Sequence, residues 1–268
     1  MTIAILGVGM MGEALLSGLL ESGWEPQDIR AADTRSARCE TIAEQYKVWA
    51  GKADEAVEGA DTVLVAVKPQ DLAGVLADVS PHLKPGCLII SVVAGVTTAT
   101  IERHLVLDRP VIRVMPNTAS LVGQGMSALA RGSGATKEHV AKAQEIMEAV
   151  GKVVVVPEKN MDAVTAISGS GPAYMMFIAE AMIDAGVMLG LPRTISSDLV
   201  KQTILGAGAL LTETGEHPTV LKENVTSPGG TTAAALRVLE DRGVKAAFIS
   251  AIEASAKRAE EIGRAQVN

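Results

Sequence analysis

Residues 2–12 read Thr2-Ile3-Ala4-Ile5-Leu6-Gly7-Val8-Gly9-Met10-Met11-Gly12. The apolar, β-branched opening predicts a short strand, and a G-x-G-x-x-G string follows it at once. Glu13–Leu20 then repeats apolar residues at helical spacing and stops at Ser22-Gly23, a helix-end signal. Glycines alone are a weak signal. Between a strand and a helix they are the context in which a dinucleotide binds. Gly7 permits the tight turn, Gly9 lets the backbone approach a pyrophosphate, and Gly12 lets the helix pack close to the strand. The pyrophosphate then rests on the helix N-terminus, where open N–H groups and the macrodipole favour an anion. Leu6, Gly7, Val8, Gly9, Met10, Met11 and Gly12 are therefore the first candidate cofactor contacts. A glycine-rich turn that binds nothing is the bland alternative.

Outward from this stretch, Ile29–Ala32, Thr62–Val67, Leu88–Ala94, Val111–Met115 and Val153–Val156 read as further strands, with Ser36–Tyr46 as a helix. Strands apolar on both faces, alternating with helices, indicate a parallel sheet covered on both sides. The reading is an α/β Rossmann domain with a doubly wound, mostly parallel sheet over residues 1–158. From Lys159 no strand pattern appears. Met161–Leu191, Arg193–Glu213, Thr231–Arg242 and Val244–Gly263 read as helices, so residues 159–268 form a second, all-α domain. No internal repeat or low-complexity linker separates the two.

Composition limits what such a protein does. Hydrophobic residues are 48% of the chain and aromatics 2%, so the core rests on Ala, Val, Leu, Ile and Met. A formal net charge of −7 argues against a nucleic-acid partner, which calls for a basic excess. Two cysteines, Cys39 and Cys87, read as reduced cytosolic thiols. The apolar stretch Ala173–Ala179 ends at Glu180, short of the roughly 20 residues of a membrane span. The N-terminus lacks the basic start of a signal peptide. The expected location is the cytoplasm, with no membrane partner.

The carboxyl ends of strands in such a sheet line the ligand crevice. Asp33 stands 21 residues beyond Gly12, close to the spacing of an acid that grips a ribose 2′-hydroxyl, which favours NAD. Arg35 and Arg38 follow, and an arginine there would hold a 2′-phosphate instead; a solvated helix start is the bland reading of both. Ala66, Val67, Lys68 and Pro69 end the third strand read here, and their backbone should border the cofactor. Ala94-Gly95 and Met115-Pro116-Asn117 end the next two. These residues suit a flat nicotinamide lying on backbone, with structural turns as the alternative.

The second half holds one unusual string, Asn224-Val225-Thr226-Ser227-Pro228-Gly229-Gly230-Thr231-Thr232. Proline and paired glycine open a predicted helix whose bare N–H groups suit a carboxylate. The Thr231 and Thr232 hydroxyls add polar handles. The bland reading is a threonine N-cap.

Several strings together carry a family resemblance: Ile5–Leu15 (ILGVGMMGEAL), Ala66–Gln70 (AVKPQ), Val111–Thr118 (VIRVMPNT), Ala166–Tyr174 (AISGSGPAY), Glu213–Pro218 (ETGEHP) and Ser227–Thr232 (SPGGTT). The chain resembles pyrroline-5-carboxylate reductases over nearly its whole length. The resemblance implies reduction of Δ1-pyrroline-5-carboxylate to L-proline with NADPH or NADH, the last step of proline synthesis. It implies a helical half that self-associates as a dimer, with a decamer as the larger assembly. It places the substrate over the nicotinamide, held by Ser227, Gly229, Gly230, Thr231 and Thr232, with the Thr232 hydroxyl facing the ring nitrogen as the catalytic contact. Asp33 replaces the small residue common in NADPH users, and Ala53 an asparagine found near the adenosine in some members, so NADH versus NADPH stays open. No metal is expected. Among rivals, a β-hydroxyacid dehydrogenase needs a lysine base that Asn160–Leu191 lacks. A ketol-acid reductoisomerase needs paired carboxylates for magnesium; Glu180 and Asp184, spaced i, i+4, could share a helix face but read as ordinary polar points among Ala and Met. A non-catalytic dinucleotide binder would have no use for the Ser227–Thr232 cradle. None of His82, His104, His139 and His217 lies in a convincing site string; His217, before Pro218, reads as structural.

Overall fold

A computed structural model gives the fold of residues 1–265. The elements run β1 (Ile3–Leu6), α1 (Met10–Glu21), β2 (Ile29–Ala32), α2 (Ser36–Tyr46), β3 (Trp49–Gly51), α3 (Ala53–Val57) and β4 (Thr62–Val65). They continue with α4 (Leu72–Val79), β5 (Leu88–Ser91), α5 (Thr98–Arg103), β6 (Val111–Met115), β7 (Gly125–Arg131), α6 (Lys137–Glu148) and β8 (Gly151–Val155). After β8 come α7 (Met161–Val164), a π turn (Thr165–Gly169), α8 (Gly171–Met188), α9 (Arg193–Glu213), α10 (Pro218–Asn224), α11 (Thr231–Asp241) and α12 (Val244–Ala265).

The strands form one eight-stranded sheet in the order β3-β2-β1-β4-β5-β6-β7-β8. It is parallel from β3 to β6; β7 runs antiparallel to β6, and β8 parallel to β7. The chain order therefore reverses between β1 and β4, and a crevice opens there at the strands' carboxyl ends. Both faces of the sheet are covered. Ile3 and Ile5 of β1 point into one core with Leu15, Leu16 and Leu19 of α1, while Ala4 and Leu6 point into the other with Leu72 and Leu76 of α4. The period of two along a strand whose every residue is buried is why β1 shows no apolar–polar alternation.

Two strands were not foreseen. β3 is a three-residue edge strand, too short to show a pattern, and β7 (GMSALAR) holds no β-branched residue. The strands of the crevice also end earlier than their apolar runs. β1 turns away at Gly7, whose φ is +89°, so the Ala66 N–H makes the last bond from this side, to the Leu6 carbonyl, and the β1–β4 ladder stops there. Ala66 and Val67, and likewise Val92–Ala94, are loop and not ladder.

The long helix expected over Met161–Leu191 is interrupted. Thr165 and Ser168 turn their hydroxyls back onto the carbonyls of Met161 and Val164, and the backbone bond from Ser170 N–H reaches five residues back to Thr165. Such back-bonding offers helical carbonyls a competing donor and bends the helix.

Among the described residues the contacts divide the chain into two compact units: Met1–Ser170 with Ser255 onward, and Gly171–Ala254. Residues 159–170 stay with the sheet because Met161 is fully buried against Ala128 and Ala130 of β7. Among the described residues, no helix is long and apolar enough to cross a membrane. Cys39 and Cys87 are both buried and unbridged. Burial pushes the Cys87 thiol up to about 11, so it stays protonated and inert at neutral pH.

Candidate functional site

The glycines of the first loop have separate causes. Gly7 takes the left-handed backbone, and a Cβ on it would lie 2.8 Å from the Ala66 carbonyl oxygen. A Cβ on Gly12 would run into the Gly7 carbonyl, so α1 can sit this close to β1 only without one. Gly9 differs: nothing lies within 4 Å of the Cβ it lacks. It is the N-cap of α1, and no side chain caps that helix start. The space beside Gly9 and the open first-turn N–H groups fit a pyrophosphate.

Hydrogen bonds draw the neighbouring loops to this point. Gly7 N–H donates to Ala32 O at 2.8 Å, and Val92 N–H to Val65 O at 3.0 Å. Leu6–Gly12, Asp33, Ala66 and Val67 thus gather at the switch between β1 and β4, with Ala94-Gly95 at the end of the adjacent β5. Gly95 has a φ of +75°, which a glycine adopts freely. Lys68 is exposed and starts the one-turn helix Pro69–Asp71.

At the end of β2, Asp33 and Arg35 are locked together. Arg35 donates Nε to Asp33 Oδ1 at 2.9 Å and Nη2 to Oδ2 at 3.1 Å, and its backbone N–H also reaches Oδ1 at 3.0 Å. Partial burial pushes the Asp33 carboxyl up. The side-chain and backbone hydrogen bonds and the charge of Arg35, with a further bond from the Val8 N–H, outweigh burial and hold it below the ordinary carboxylate value. Arg38 does something else: its Nε donates to the Val8 carbonyl at 2.7 Å, and its Nη2 is held by Glu13.

Asn117 is turned to an internal task. Its Nδ2 donates to Ser168 O at 3.1 Å and its Oδ1 accepts from Met126 N–H at 3.2 Å, so its side chain ties the π turn to β7. π turns of this kind recur at functional sites.

In the second unit, Ser227-Pro228-Gly229-Gly230 form a tight turn. Gly230 N–H donates to Ser227 O at 3.0 Å, and Gly229 has a φ of +70°. Proline second and a left-handed glycine third are the residues a type II turn demands. The N-cap of α11 is Gly230, with no side-chain cap, which places Thr231 and Thr232 inside the first turn and not at the cap. Neither threonine hydroxyl has an intrachain hydrogen-bond partner among the described residues. The turn therefore presents open N–H groups and free hydroxyls together. His217 caps α10, its Nδ1 accepting from Thr219 N–H at 3.2 Å, and Asp184 is paired with Arg193 at 2.8 Å.

Residues 2–95 match the family model described as NADP oxidoreductase, coenzyme F420-dependent, and residues 158–262 the one described as pyrroline-5-carboxylate reductase dimerisation. A pyrroline-5-carboxylate reductase of Mycobacterium tuberculosis is 42% identical, the match covering 97% of this chain and 96% of its own. The chain belongs to the pyrroline-5-carboxylate reductase family. Among solved pyrroline-5-carboxylate reductases, that of Coxiella burnetii superposes with a TM-score of 0.93 at 35% identity, over 97% of this chain and 98% of its own. The pyrroline carboxylate reductase of Plasmodium falciparum, solved with NADP bound, gives 0.86 at 30% identity over 98% of both chains.

Sequence reasoning missed two supports in this member of the pyrroline-5-carboxylate reductase family. Glu158 accepts from the Thr98 N–H and hydroxyl, both at 2.7 Å, and from the buried Arg113 at 3.4 Å, and so anchors the chain just beyond Gly95. Glu13 and Tyr46 meet at 3.1 Å beneath the glycine loop. Both pairings join residues far apart in sequence, where no spacing rule applies.

Proposed function

We propose that this chain reduces Δ1-pyrroline-5-carboxylate to L-proline with hydride from NADPH or NADH, the final step of proline biosynthesis, in the cytoplasm. The observation that carries this is the near-full-length identity to reductases of that name. The two helix starts support it physically. The first offers Leu6–Gly12 to a diphosphate, flanked by Asp33, Arg35, Ala66, Val67, Lys68, Pro69, Ala94, Gly95 and Asn117. The second offers Ser227, Gly229, Gly230, Thr231 and Thr232 to a small carboxylate. Residues 159–268 would then carry both self-association and substrate binding, as a dimer and, in its largest form, a decamer.

The reduced nicotinamide supplies the hydride when bound. The chain's own groups hold and orient the substrate. The open N–H groups of Thr231 and Thr232 and the positive end of α11 take the substrate carboxylate. Thr232 Oγ1 then meets the ring nitrogen. Protonated nitrogen makes the C=N carbon a far better hydride acceptor. Once hydride adds to that carbon, the π pair falls on nitrogen and leaves a secondary amine. A hydroxyl that can donate or accept serves both states, with solvent as the proton source. The site contributes placement and charge more than strong acid chemistry.

The test is oxidation of NADH or NADPH by purified protein with pyrroline-5-carboxylate, with proline identified as product. Binding of either cofactor without turnover would instead establish a non-catalytic dinucleotide binder.

A further inference from the structure

We infer that Arg38 is a positioning residue for the pyrophosphate loop and not a ligand of a cofactor 2′-phosphate. The inference rests on the dinucleotide reading of the Gly7–Gly12 loop. It concerns which groups hold that loop in shape.

The geometry around Val8 carries it. The Arg38 Nε donates to the Val8 carbonyl at 2.7 Å, across thirty residues of chain. The same guanidinium is held by Glu13 of α1, and Glu13 in turn accepts from the Tyr46 hydroxyl at 3.1 Å. Arg38 and Tyr46 stand at opposite ends of α2, so this helix grips α1 through one carboxylate. The pair is mostly shielded, with the Arg38 and Glu13 side chains 23% and 27% exposed. An arginine so engaged has its planar fork committed on two sides.

The consequence lies in the next amide. A trans peptide is planar, so the Val8 C=O and the Gly9 N–H point in opposite directions. Fixing the carbonyl toward Arg38 fixes the Gly9 N–H away from it, beside the space that the missing Gly9 side chain leaves empty. It also keeps a carbonyl dipole from facing an anion. The peptide group that leads into the pyrophosphate position is thus held through its carbonyl. Arg35 is the more exposed of the two arginines, at 66% of its side chain, and it is paired with Asp33.

The test is direct titration of NADH and of NADPH into Arg38→Met, Arg38→Lys, Tyr46→Phe and parent protein, so that its outcome is independent of the imine substrate. Loss of a charge-assisted hydrogen bond should weaken both cofactors in Arg38→Met by the same factor, about tenfold. At saturating cofactor, kcat and the KM for the imine should stay within about twofold of the parent, which a general loss of structure would not allow. Arg38→Lys should recover part of the affinity for both. Tyr46→Phe removes one hydroxyl and keeps the fold, and should weaken both cofactors in the same ratio to a smaller extent. A loss confined to NADPH would make Arg38 a phosphate ligand and overturn the inference. Unchanged affinity for both cofactors in Arg38→Met, or in Tyr46→Phe if the former does not fold, would overturn it equally.

Discussion

Asp33 and Arg35 are paired at the end of β2, and the proposed choice between the two nucleotides runs through that pair. While the carboxylate holds the guanidinium at both oxygens, Arg35 is withheld from a phosphate, and a 2′-phosphate arriving there meets a like charge. The hydrogen bonds and charge of Arg35 hold that carboxyl below the ordinary carboxylate value. Asp33→Ser should therefore free Arg35 and remove the repulsion. Like-charge juxtaposition costs several kcal/mol, so the kcat/KM ratio of NADPH to NADH should rise at least about tenfold. An unchanged ratio in steady-state assays with both cofactors would show that Asp33 has no say in the choice. In the second unit the comparable residue is Thr232. Its hydroxyl makes no intrachain bond among the described residues, so Thr232→Ala removes nothing that holds the fold. The variant should lose about 1.5 kcal/mol of transition-state binding, roughly tenfold in kcat/KM. Cofactor affinity by titration should not move. Kinetics equal to the parent's would take Thr232 out of the reaction.

At the scale of elements, the start of α1 separates space kept for packing from space kept for a ligand. Gly12 has backbone where a side chain would go, and Gly9 has nothing. Gly12→Ala should thus overpack the helix against its strand and lower stability by about 1–3 kcal/mol. Gly9→Val should melt near the parent and yet fail to bind NADH or NADPH. If thermal melts and titrations showed the reverse pattern, the division of labour along this loop would be wrong. The β1–loop–α1 unit was legible in the sequence because all its determinants are local: an apolar strand, glycines at fixed offsets and a helical period. The antiparallel β7 was not. Its Ser127, Ala128 and Ala130 side chains are too small to give an apolar signal, and it is a strand because β6 and β8 flank it. The same distinction holds within the site. The Ser227–Thr232 turn could be read from proline and glycine chemistry. The task of Asn117 could not, since its partners Ser168 and Met126 come from separate elements. Nor could the interruption at Thr165–Gly169 be foreseen, because back-bonding hydroxyls leave the apolar period of a helix intact.

For the whole molecule, the telling feature is how little the second unit buries by itself. α8 has no buried residue along its eighteen positions, although it carries Tyr174, Met175, Met176, Phe177, Met182 and Met188. Phe177 is 71% exposed, Met176 68%, Met188 87%, and Leu205 of α9 66%. Exposed apolar patches of this kind mark an interaction surface. A second copy fits: this segment lies within the match to a dimerisation family, and the large apolar side chains of α8 stay uncovered within one chain. Each large apolar side chain covered contributes about 1.5–3 kcal/mol, so a handful reaches the order of 10 kcal/mol before the cost of association. The expected outcome is a sedimentation mass of at least twice 27.7 kDa at micromolar concentration. Phe177→Glu should move that mass toward a single chain and abolish turnover, while Gly7–Gly12 stays able to bind nucleotide, because the sheet holds that loop within one chain. A parent protein sedimenting as one chain while fully active would show that the exposed face of α8 serves something other than self-association.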